Sequence, residues 1–156
     1  MKVLMFGWEF PPHILGGLGT ASYGLTKGMS QQEDMDITFC IPKPWGDEDQ
    51  SFFFFFCMNS VPIVWRDVQW DTVKSRFGSY MDPQLYYDLR DHIYADFNYM
   101  HTNDMGCMEF SGRYPDNLHE EINNYSIVAG VVARQQSFDI IHSHDWLTYP
   151  AGIHAK

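Results

Sequence analysis

The sequence predicts an α/β fold, a parallel sheet flanked by helices, and three observations predict it. The runs Lys2 to Phe10, Ile37 to Pro42 and Phe138 to His142 are almost continuously apolar, as in strands covered on both faces. A glycine-rich turn, Gly16-Gly17-Leu18-Gly19, follows the first run and leads into a helical period. Strand, turn, helix and strand in that order make a βαβ unit, whose parallel pairing is right-handed.

Pro11-Pro12 ends the first strand. Ala21, Leu25 and Met29 recur at helical spacing, so a helix is expected from about Leu18 to Ser30. Ile37 to Pro42 is the second strand, and Pro42 to Ser51, with Pro44 and Gly46, is a loop. Phe52 to Phe56 reads as a buried strand in preference to a ligand groove, since the same run left exposed is an aggregation hazard. Val61 to Trp65 is a further short strand, and Trp65 and Trp70 line either core or cleft. Asp82-Pro83 starts a helix that keeps Leu85, Leu89, Ile93, Phe97 and Met100 on one stripe. Asn117 and Glu120 form a capping-box pattern before a helix with Ile122, Tyr125, Ala129 and Val132 inward. That helix hands the chain to the strand ending at His142. Leu147 to Lys156 begins a helix without a C-terminal cap, as expected of a chain cut from something longer.

A length of 156 residues and 45% apolar content suit one domain with one core. The formal net charge of -10, with 10 Lys and Arg, argues against a nonspecific nucleic-acid binder. Cys40, Cys57 and Cys107 are odd in number and lie far apart, as expected in a reducing cytoplasm. The first residues lack the features of a signal peptide, and no segment approaches the ~20 apolar residues of a membrane span.

Gly16, Gly17 and Gly19 let the main chain approach a ligand and present its N–H groups, with about half a positive charge at the helix end behind them. The same turn also forms without a ligand. It is neither the G-x-G-x-x-G fingerprint nor a P-loop. His142 and His144, two apart in an extended run, face one side. They suit three roles: metal ligands of an H-x-H hydrolase, which requires further ligands that the sequence does not show at motif spacing; a hydrogen-bonding or acid-base imidazole oriented by Asp145; or histidines satisfied at a strand end. Tyr114-Pro115-Asp116-Asn117 offers a hydroxyl, a carboxylate and an amide, although helix capping accounts for Asp116 or Asn117. A non-enzymatic carbohydrate-binding or protein-interaction domain, its glycine turn purely structural, is the third class of function.

Phe10-Pro11-Pro12, Gly16-Gly17-Leu18-Gly19 and His142-Ser143-His144-Asp145-Trp146, in that order, resemble the N-terminal domain of the GT-B retaining glycosyltransferases of the glycogen and starch synthase type. The resemblance covers most of the chain. It implies a Rossmann-like half of a two-domain enzyme, with residues 1–156 as the acceptor-side domain. The partner it implies is a C-terminal donor-binding domain of the parent chain, whose paired-glutamate motif is not found here. The implied reaction moves glucose from a nucleotide-sugar, ADP-glucose or UDP-glucose, to a glucan or other carbohydrate acceptor with retention of configuration, without a cofactor or metal. By motif position, Gly16, Gly17, Leu18 and Gly19 approach the donor, and His144, supported by Asp145, is catalytic near the reacting carbon. His142, Trp146, Tyr114, Asp116 and Asn117 are the implied substrate-binding residues. Starch synthases place a Lys where this chain has Ile14, and an Asp where it has Thr20. The lost cation leaves room for a retaining transferase with a different acceptor.

Overall fold

The computed structural model describes residues 1–51, 53–63 and 102–156. Trp65, Trp70, the helix expected after Asp82-Pro83, and Phe52 lie outside the described residues. Four parallel strands form one sheet in the order β3-β2-β1-β4, with β1 Lys2–Phe6, β2 Asp36–Ile41, β3 Phe54–Cys57 and β4 Ile140–Ser143. Helix α1 spans Gly17–Ser30, α2 spans Leu118–Gln135 and α3 spans Tyr149–Ala155. The expected parallel α/β sheet with flanking helices is the observed one.

The apolar β1 run divides between two cores because successive side chains alternate across a strand. Val3 and Met5 join Phe10, Ile37, Phe39, Ile41 and Phe55, with Tyr23 and Met29 of α1 packed against them. Leu4 and Phe6 join Trp8, Cys40, Tyr125, Val128, Val132, Leu147 and Ala151 on the face covered by α2 and α3. Each fully buried side chain of this size contributes about 1.5–3 kcal/mol. Tyr125 also anchors α2 to the strand ends, its hydroxyl lying 3.0 Å from the Gly7 carbonyl and 2.8 Å from that of Cys40. The Ile122, Tyr125, Ala129 and Val132 stripe faces inward, as its period predicts.

Three expectations change, and α1 buries a face that its apolar period does not mark. The first strand stops at Phe6 rather than Phe10. An ideal Cβ on Gly7 would lie 2.3 Å from the Phe39 ring, so only glycine lets that ring close over the strand end. On α1 the buried face is Gly19, Ser22 and Thr26, while Ala21 and Leu25 are exposed. Small residues let the helix approach closely, and their hydroxyls are satisfied within the helix, Ser22 Oγ on the Leu18 carbonyl at 3.0 Å and Thr26 Oγ1 on that of Ser22 at 2.8 Å. Of the Phe run, Phe54 to Phe56 lie in a strand, and among the run's described residues only Phe55 is buried while Phe54 is 62% exposed. Among the described residues β3 pairs with β2 alone, which makes it an edge. Finally, Asn117 and Glu120 bond side chain to side chain, Nδ2 to Oε2 at 3.2 Å, rather than closing a capping box on the backbone.

Candidate active site

Both motif-bearing turns leave the carboxyl ends of neighbouring parallel strands, β1 and β4, the rim where open α/β sheets place their ligands. The β4 pairing continues one residue past the strand, with the His144 N–H donating to the Phe6 carbonyl at 2.9 Å. The second motif therefore begins against the end of β1.

The glycine turn is held by a residue outside it. Glu9 is only 5% exposed. Its Oε2 accepts the Leu15 N–H and its Oε1 the Gly19 N–H, both at 3.0 Å. A helix leaves its first N–H groups unpaired, and Gly16 supplies no local side-chain cap. With Gly19 committed to Glu9, the N–H groups of Gly16, Gly17 and Leu18 remain without an acceptor among the described residues. An ideal Cβ on Gly16 or Gly17 meets nothing within 4 Å, whereas one on Gly19 would lie 2.2 Å from Ile14 Cγ2. Gly19, expected beside the donor, is thus committed to packing and to the Glu9 bond. Ile14, standing where starch synthases carry a Lys, packs over it.

The second turn is held locally. Asp145 has φ 76° and ψ 164°, a region that side chains rarely adopt. Its Oδ1 accepts its neighbour's N–H, Trp146, at 2.6 Å, and its carbonyl accepts the Thr148 N–H at 3.0 Å. A single helical turn, Trp146–Thr148, buries Leu147 and leads into α3. Before this turn, the rings of His142 and His144 lie on one side as the two-residue spacing predicts, His142 Nε2 being 3.4 Å from His144 Nδ1. Burial, and then the neighbouring His144, lower the pKa of His142. Trp146 is half exposed, its ring 6.4 Å from that of His119 in the first turn of α2.

Tyr114 lies within electrostatic reach of both turns. Its phenol pKa is pushed up to about 12, first by burial, then by the Glu9 charge and a hydrogen bond to Glu9, and finally by the Asp145 charge. The charges of Glu9 and Asp145, one from each turn, thus both act on the Tyr114 phenol. On the outer rim, His13 bonds Asp47 at 2.7 Å and stacks on Trp45 with ring centroids 4.8 Å apart. Lys43 and Arg113 reach the same indole at 5.3 and 5.4 Å.

The structure thus places Gly16, Gly17 and Leu18 on one turn and His144, Asp145 and Trp146 on the other at the same rim, with His142 beside His144 and Tyr114 within reach of the Glu9 and Asp145 charges. Asp116 and Asn117 are exposed at the entry to α2, and Asn117 pairs with Glu120 instead of reaching either turn. Sequence reasoning missed Glu9 and His119. The signal for Glu9 was an acid inside the apolar run Trp8-Glu9-Phe10, since a buried carboxylate must find donors. The signal for His119 was absent, because its approach to Trp146 is set by how α2 docks. A cavity lined by Lys2, Leu4, Thr38, Phe54, Phe56 and Phe138 lies toward the amino ends of the strands, away from both turns.

Over residues 2–156 the sequence matches the family described as the starch synthase catalytic domain. The chain belongs to this family. It is therefore a glycosyltransferase domain of the glycogen and starch synthase type. Neither a curated protein nor a solved structure matches the chain. Among the described residues no cluster of three His, Cys, Asp or Glu side chains assembles. No helix among them is long and apolar enough to cross a membrane.

Proposed function

We propose that this glycosyltransferase domain is the acceptor-side half of a cytoplasmic GT-B enzyme that moves glucose from ADP-glucose or UDP-glucose to a glucan, with retention of configuration. In this reading a C-terminal donor-binding domain of the parent chain completes the site. The observation that carries the reading is that the glycine turn and the His144 turn leave the carboxyl ends of neighbouring parallel strands at one rim.

In this scheme the unpaired amides of Gly16, Gly17 and Leu18 stabilise the charge that develops on the departing diphosphate. His144 donates to or accepts from a hydroxyl or ring oxygen of the donor sugar, held by the backbone bond that ties it to β1. Asp145 shapes the turn, and its carboxylate serves the Trp146 N–H rather than a substrate proton. Tyr114, His142 and Trp146 supply hydroxyl, imidazole and indole surfaces to the sugars, with Asp116 and Asn117 at the acceptor entrance. No metal or cofactor enters this scheme.

One observation favours a second reading, a retaining transferase with another acceptor. Ile14 packs against Gly19 and brings no cation to the donor phosphates.

The test is a titration of the isotope-labelled chain with ADP-glucose, UDP-glucose and maltooligosaccharides, followed by backbone resonances. Weak, saturable shifts at Gly16, Gly17, Leu18 and His144 with a nucleotide-sugar are expected. Absence of shifts with both nucleotide-sugars sinks the reading. Shifts with a nucleotide-sugar but not with maltooligosaccharides favour the second.

A further inference from the structure

We propose that the cluster around Trp45 is an anion site: Lys43 and Arg113, held to one exposed indole, take the phosphate of a phosphorylated sugar. The site does not depend on the donor scheme above.

The cluster sits on the same rim as the two turns, one strand further along. His13 lies in the segment leaving β1, and residues 43–47 lie in the loop leaving β2, at the carboxyl ends of neighbouring parallel strands. In the strand order β2-β1-β4 the Trp45 loop therefore flanks the glycine turn on the side opposite His144. Trp45 is 40% exposed, although burying a ring of this size is favourable. Its position is nevertheless fixed. The buried carboxylate of Glu48 accepts the N–H groups of Trp45 at 2.7 Å and of Gly46 at 2.9 Å. Arg113 is fixed through its carbonyl, which accepts the Nε1–H of buried Trp8 at 3.1 Å. An ideal Cβ on Gly112 would lie 3.3 Å from Lys43 Cβ, so the two segments that carry the cations lie against each other. His13 stacks on the indole, with ring centroids 4.8 Å apart.

The charges of this cluster do not balance. Lys43 Nζ lies 5.3 Å and Arg113 Cζ 5.4 Å from the same ring centroid, and neither has a carboxylate partner among the described residues. The acids that follow Trp45 in the loop are taken, Asp47 by His13 at 2.7 Å and Glu48 by the two amides. Two like charges drawn to one ring repel, and an anion between them offsets that repulsion. Arg offers paired N–H donors and Lys a compact charge, a combination that suits a phosphate. In a glycosyltransferase domain the phosphate is that of a carbohydrate, whose sugar ring meets the exposed part of the indole.

The experiment follows the Trp45 indole and Arg113 amide resonances of the isotope-labelled chain during titration with inorganic phosphate, glucose 6-phosphate, ADP-glucose and glucose. Saturable shifts with glucose 6-phosphate are expected, weaker ones with inorganic phosphate, and none with glucose. Lys43→Gln and Arg113→Gln each weaken phosphate-dependent binding about tenfold, the loss of one charge-assisted bond. Lys27→Gln, which removes an exposed cation over Tyr23 on α1, binds as wild type. ADP-glucose distinguishes the source of the phosphate. Shifts at Trp45 with ADP-glucose assign it to the donor, and shifts with glucose 6-phosphate alone assign it to a separate phosphorylated sugar.

Absence of Trp45 shifts with all three phosphates overturns the proposal, as do equal shifts with glucose and glucose 6-phosphate, or wild-type affinity in either Gln variant. If these variants do not fold, the salt dependence of wild-type binding replaces them, and affinity that holds from about 50 to 200 mM salt overturns the proposal. A glycine turn that ignores the nucleotide-sugars sinks the donor scheme, while this site is still read from glucose 6-phosphate at Trp45.

Discussion

The two turns at the sheet rim do similar work by opposite means. The glycine turn has no cap of its own and is held by Glu9, which reaches its amides at Leu15 and Gly19 from the β1 side. The Asp145 turn is closed by its own side chain and carbonyl, at the cost of a backbone conformation that favours glycine. A turn held from a distance keeps its own amides free. A turn held locally consumes its carboxylate but places the residue before it, His144, against β1. The difference teaches that exposed glycines and a strained aspartate are two routes to the same rim.

The largest expected effect tests which glycines the first turn needs. Gly19→Ala forces a Cβ to within 2.2 Å of Ile14 Cγ2 and 3.2 Å of Glu9 Cγ, and overpacking of this kind costs about 1–3 kcal/mol. Gly17→Ala meets nothing within 4 Å and changes stability by no more than about 0.5 kcal/mol, while perturbing nucleotide-sugar binding. Urea unfolding of both variants reads the contrast. Equal costs would show that the space beside Gly17 is not open.

The second turn is tested by two substitutions at one position. Asp145→Ala and Asp145→Gly both lose the bond to the Trp146 N–H, worth about 1 kcal/mol. Only glycine also relieves the positive φ, so Asp145→Gly is more stable than Asp145→Ala by about 1–3 kcal/mol. Equal unfolding midpoints would remove the strain from the argument.

The smallest effects are in pH, because the groups concerned are part exposed and screened by solvent. His142 has a folded pKa below its unfolded value of about 6.5. The unfolded chain therefore binds the proton first, and stability falls as pH drops below about 6.5 toward the folded value. Tyr114 has the opposite sense. Its folded pKa lies above the unfolded value of about 10, so stability falls as pH rises from there toward about 12. Unfolding midpoints measured across pH should show both slopes. The alkaline one should shrink in Tyr114→Phe, with a remainder from Cys40 and Tyr125, whose burial also raises their pKa values.

Local pattern was enough for much of this chain. The βαβ order, the helix of Ile122, Tyr125, Ala129 and Val132, and the shared side of His142 and His144 follow from period and spacing. What failed had a nonlocal cause. The apolar period did not mark Ser22 and Thr26 as the inward face of α1, because they count as polar in a hydropathy pattern, yet they bond within their own helix and let it approach the sheet. The Phe run was expected to be covered, and the exposure of Phe54 depends on the strand's place in the sheet order, which no local period encodes.

By itself, then, the sequence determined the βαβ order, the helices at Gly17–Ser30 and Leu118–Gln135 and the two motifs that mark the rim, because hydrophobic period and turn chemistry act between near neighbours in the chain. The tertiary structure alone decided that Glu9 serves Leu15 and Gly19, and that Gly17 is open where Gly19 is filled. Those facts depend on how the chain leaving β1 folds back on itself, which brings one buried carboxylate within reach of two amides.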